Sequence, residues 1–128
     1  MQRVSAPTMP SAARAAQAFM WAETALALTV AGLFVWIMDD VGRHPAAVVA
    51  LTTGIALYAV AVTMLTWMFS TRRHWVRVTA CILQTVLIVV SGLGLLQCPS
   101  MPMVFALALA TLTLWQLCTT AATAWFSE

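Results

Sequence analysis

The sequence predicts an all-α, polytopic membrane protein, an up-down bundle of four transmembrane helices. Three observations predict it. Of 128 residues, 62% are hydrophobic and 8% are charged, where a soluble domain carries about 25% charged residues. The apolar residues fall into four long runs separated by short polar breaks. Finally, a chain this short cannot hide that much apolar surface in one aqueous core, because small domains leave much of their surface wet.

A bilayer core of about 30 Å needs roughly 20 apolar residues at helical rise. Four segments meet that requirement: 18–38, 46–69, 76–97 and 103–126. Residues 1–17 read as a polar tail on the cytoplasmic side. Ser11, after Pro10, is placed to cap a helix that begins before the lipid does. The first run is longer than the apolar core of a signal peptide, typically about 7–15 residues, and reads as a retained span. Pro45 and Pro102 sit where the second and fourth helices begin, positions that need no amide hydrogen. The breaks 39–45, 70–75 and 98–102 are short, so consecutive helices are expected to be antiparallel neighbours.

Orientation follows from arginine, the only basic residue type here apart from two histidines. Arg3, Arg14, Arg72, Arg73 and Arg77 fall on one side of the spans and Arg43 on the other. That bias places both termini and the middle break in the cytoplasm of a bacterial inner membrane. Trp21, Trp67, Trp75 and Trp125 then form one interfacial belt, with Trp36 at the opposite interface. Arg72, Arg73 and Arg77, with His74, read as a collar on lipid headgroups, worth about 1 kcal/mol per arginine.

Helices in lipid associate through small residues and interhelical polar bonds. The stripes that satisfy this are Glu23, Ala27 and Ala31 on the first helix and Thr52, Ala56, Ala59, Thr63, Thr66 and Ser70 on the second. On the third they are Arg77, Ala80, Gln84, Ser91 and Gly94; on the fourth, Ala106, Ala110, Thr113, Gln116, Thr120 and Thr123. By depth, Glu23, Thr63, Gln84 and Gln116 are expected to converge in the cytoplasmic half of the bundle. Glu23 is the only acid inside a span. Such a group needs partners and by default marks a proton relay, an ion path or a substrate counter-charge. The structural reading of the same residue is an acid near the interface that pairs with Arg77 or Arg14, or reaches water.

The remaining chemistry is sparse. Asp39, Asp40, Arg43 and His44 crowd one short break and read as a solvated turn, since three candidate ligands there fix neither geometry nor count. Cys81, Cys98 and Cys118 have no metal spacing, and the two in apolar runs, Cys81 and Cys118, read as small hydrophobes. No metal or other cofactor is expected. A net charge of +2 gives no footprint for nucleic acid. No nucleophile–base pair or phosphate loop is legible, so no enzymatic activity is expected.

Arg72-Arg73-His74-Trp75-Val76-Arg77, leading into an apolar helix with Gln84, resembles the head of helix three in small four-helix membrane proteins of actinobacterial type. Here Val76 replaces an alanine and the preceding glycine is absent. That resemblance implies a class and no activity. Trp21-Ala22-Glu23-Thr24 is loosely similar to the first helix of small multidrug resistance transporters, which implies a glutamate alternating between protons and a cationic substrate. The longer leading tail, the arginine bias and the lack of glycine-rich motifs in helices three and four depart from that family. The expectation is therefore a non-enzymatic accessory or structural subunit. Its partners are the bilayer and either a second copy or a larger membrane protein. The alternative is a proton-coupled transporter built on Glu23.

Overall fold

A computed structural model describes residues 7–42 and 45–127. Among them the chain is all-helical: α1 (Ser11–Val41), α2 (Ala46–Met68), a short 3-10 turn (Phe69–Thr71), α3 (His74–Gln97), α4 (Met101–Leu117) and α5 (Thr120–Trp125). Three helical stretches are long and apolar enough to cross a membrane, and α4 is a shorter apolar helix. Arg3, Arg43 and His44 lie outside the described residues.

Local chemistry explains the boundaries. Pro10 is the N-cap of α1 and its carbonyl accepts from Arg14 N at 3.0 Å. Ser11 is therefore the first helical residue rather than a side-chain cap. Gly42 ends α1 at φ +63°, and its N–H reaches the carbonyls of Met38 and Asp39. This left-handed position is one that glycine takes without a Cβ penalty. Pro45 immediately precedes α2, and Pro102 lies in the first turn of α4.

The fourth expected span, 103–126, is interrupted. Thr119 leaves the helical path at ψ 151°, and its hydroxyl oxygen accepts from Ala122 N at 3.3 Å to cap α5. A hydroxyl at three-and-four spacing serves equally well on a packed helix face or as an N-cap. Here the second use wins, because it lets α5 fold back over the bundle end and bury Ala122 and Phe126. Phe126 meets Phe69 edge-on, with ring centroids 5.3 Å apart.

α1 packs against α2 and α4, and α3 packs against α4, while α2 and α3 meet only slightly. The core is concentrated at the arginine end, where Ala16 and Met20 of α1 meet Val62, Leu65 and Phe69, Val76 and Ala80, Leu117 and Phe126. The small residue Ala16 is fully buried beside Val62, Leu65 and Phe69 and allows close approach, so α2 can bury its larger side chains there. The expected α2 stripe is accordingly rotated: Ala59 and Thr66 are buried, Thr63 is half-buried and Ser70 is exposed. At the opposite end a cleft between α1 and α2 is lined by Gly32, Trp36, Asp39, Val49 and Thr52.

Candidate functional site

Glu23 is one of the few polar residues that the bundle buries, with 3% of its surface exposed. It lies twelve residues into α1, about 18 Å from the helix start at helical rise. Each of α2, α3 and α4 sends it one neutral polar group. The Tyr58 hydroxyl of α2 donates to Glu23 Oε2 at 3.1 Å. Gln84 Nε2 of α3 donates to the same oxygen at 2.8 Å. Thr113 Oγ1 of α4 lies 3.4 Å from Glu23 Oε1. One carboxyl group thus ties four helices together, and the long side chains of Tyr58 and Gln84 bridge the gap where α2 and α3 scarcely touch.

Of the four residues expected to converge, the structure brings together Glu23 and Gln84. Thr63 donates to Ala59 O of its own helix at 2.7 Å, because the rotation of α2 turns its hydroxyl away. Gln116 is half-buried, one turn nearer the end of α4 than Thr113, and its backbone carbonyl is used by Thr119. Tyr58 and Thr113 take the two vacant roles. Thr113 belongs to the small and hydroxyl-bearing stripe of α4. A rule that looks for small residues passes over Tyr58, yet it is the only tyrosine and sits ten residues from the end of its helix. That mid-helix position, far from either end of α2, was the available signal.

Neither Arg14 nor Arg77 partners the acid. Arg14 is exposed. Arg77, expected at lipid headgroups, turns inward and donates from Nε to Leu117 O at 3.0 Å. A cation is favoured there because the last carbonyls of α4 lack helical partners. Arg72, also assigned to the collar, stacks 3.9 Å over the Trp125 ring and donates to Pro7 O at 3.2 Å. Arg73 remains exposed at the head of α3. The bundle end is further closed by Trp125 Nε1 donating to Phe69 O at 3.3 Å and Gln17 Nε2 donating to Thr66 O at 3.1 Å.

Two features complete the site. Gln84 is fully buried, and its Oε1 has no hydrogen-bond partner among the described residues. Cys81, three residues before Gln84, faces Cys118 across the α3–α4 contact. Among the described residues no group of His, Cys, Asp or Glu is placed to hold a metal ion. No family model, curated protein or solved structure matches the chain.

Proposed function

We propose that this chain is a non-enzymatic, membrane-embedded four-helix protein that serves as a structural or accessory subunit. It would lie in a bacterial cytoplasmic membrane with both termini inside, and act through the outer faces of its helices. The observation that carries this reading is the division of labour among side chains. The buried acid finds all of its partners within the chain, while every long helix turns large apolar residues outward. Trp36, Trp67, Leu96 and Trp115 are 67%, 77%, 84% and 73% exposed. Soluble monomers rarely expose large contiguous apolar patches to water. In lipid such a surface is the expected exterior, and association there proceeds by packing.

The test is photocrosslinking from outward positions such as Val60, Val86 and Leu112 in native membranes. A discrete protein adduct, either a second copy or one larger partner, is the expected result. Lipid adducts alone from all three positions argue against an accessory role.

A second reading, a proton-coupled transporter for a small cationic or lipophilic compound, draws its support from the buried acid beside an unpaired amide oxygen. Reconstituted protein that drives pH-dependent flux, lost in Glu23→Gln, would favour it over the first. Absence of such flux would remove it.

A further inference from the structure

We propose that Glu23 is a proton-binding site, holding one exchangeable proton on Oε1, donated to Thr113 Oγ1, with the Gln84 amide as the alternative acceptor. The argument is a count of hydrogens. Thr113 Oγ1 lies 2.7 Å from Leu109 O and 3.4 Å from Glu23 Oε1. A hydroxyl has one hydrogen, and a backbone carbonyl can only accept, so the shorter contact takes it. A lone pair of Oγ1 is left facing Glu23 Oε1. Two acceptor oxygens set face to face in a buried site repel unless a hydrogen lies between them, and the carboxyl group is the only member that can carry it. The other oxygen fits the carbonyl half of a neutral acid, since Oε2 accepts from both Tyr58 and Gln84.

Gln84 Oε1 marks a second, less favoured station for the same proton. It is a second buried acceptor with nothing donating to it, and such groups are rare enough in proteins to require an explanation. The two ends of a primary amide have nearly the same shape, so a half-turn places Oε1 against Glu23 Oε2. That contact is a hydrogen bond only when Oε2 carries the proton. The carboxyl group therefore offers the proton two stations, of which Oε1 is favoured, because moving the proton to Oε2 again leaves Oε1 and Thr113 Oγ1 as facing acceptors.

The surroundings favour a single neutralising proton over a counter-ion. α2 contributes Tyr58, and α4 contributes Thr113 with no charged side chain. α3 contributes Gln84, with Arg77 two turns away and bound to Leu117 O, and Cys81 turned to Cys118. α5 carries no titratable side chain. This inference does not depend on which partner, if any, the protein serves.

Infrared spectroscopy of the full chain in lipid nanodiscs at neutral pH tests it. The protein has two glutamates, Glu23 and Glu128, so carbon-13 glutamate labelling of Glu128→Gln reads Glu23 alone. A carboxylic-acid C=O band that shifts with the label, and is lost in Glu23→Gln, is the expected result. Only carboxylate bands from labelled Glu23 would overturn the proposal, whether or not Glu23→Gln folds. In Thr113→Val the acid band should move to higher frequency, since its acceptor is gone. An unmoved band would overturn the Oε1 station.

Discussion

Arg77 Nε donates to the carbonyl of Leu117 at 3.0 Å, joining the first turn of α3 to the last residue of α4. The bond stands where the fourth helix stops and turns into α5, so it stabilises the break as well as the α3–α4 contact. A charged donor on a partly buried acceptor is worth about 1.5–3 kcal/mol. Arg77→Ala should lose that much in detergent unfolding and should expose the α5 segment to proteolysis. Arg77→Lys should recover only part, because a lysine lacks the planar fork. Equal stability of wild type and Arg77→Ala would show that the carbonyl is satisfied without it.

The three bonds to Glu23 should differ in value according to geometry. Interhelical polar bonds in membrane proteins average about 0.6 kcal/mol and reach about 1.7. Gln84, at 2.8 Å and fully buried, should be the costliest to lose; Tyr58, at 3.1 Å, intermediate; and Thr113, at 3.4 Å, the least. Thermal unfolding of Gln84→Leu, Tyr58→Phe and Thr113→Val in one detergent checks the order. A Tyr58→Phe effect larger than that of Gln84→Leu would break it.

How much of this arrangement was legible in sequence depends on what each residue competes with. Glu23 and Gln84 stood out because a strongly polar group in an apolar run has few places to go. The rotation of α2 was not legible. Its stripe of Thr52, Ala56, Ala59, Thr63, Thr66 and Ser70 offers the small face that lipid-phase packing favours. The fully buried Ala16 of α1 supplies that smallness instead, and allows Val62, Leu65 and Phe69 to turn inward. Which of two facing helices provides the small side is a tertiary choice, and Tyr58 became a ligand of the acid as a result. The break at Thr119 was hidden for a related reason. A threonine in a run of threonines carries no local mark that separates a packed hydroxyl from a cap.

Arg72 offers a test of backbone strain against side-chain contact. It is the one non-glycine residue with positive φ among those described, at +55°, a conformation costing an L-residue about 1 kcal/mol or more. Its guanidinium meanwhile stacks on Trp125 and bonds Pro7 O. Arg72→Ala loses the contacts and keeps the strain, whereas Arg72→Gly loses the contacts and relieves it. The glycine variant should therefore be the more stable by about 1 kcal/mol, by thermal unfolding. Equal stabilities would mean that the turn relaxes when the side chain is cut back.

Gly94 sits where α3 and α4 approach near their connecting turn, and a Cβ built there would lie 2.8 Å from Met103 Sδ and 2.9 Å from its Cε. Both atoms belong to the far end of a flexible side chain, which adapts readily. Replacing a helical glycine by alanine gains about 0.8–1 kcal/mol of helix propensity, against the cost of moving Met103. Gly94→Ala should thus change stability by less than about 0.5 kcal/mol. Gly94→Phe cannot be absorbed by one thioether and should separate the helices, with a loss of about 1–3 kcal/mol from overpacking. Adding Met103→Ala should restore most of it, because the obstructing atoms are removed. If the double variant is no better than Gly94→Phe alone, the close approach is limited by backbone, and the contact between α3 and α4 is tighter than Met103 defines.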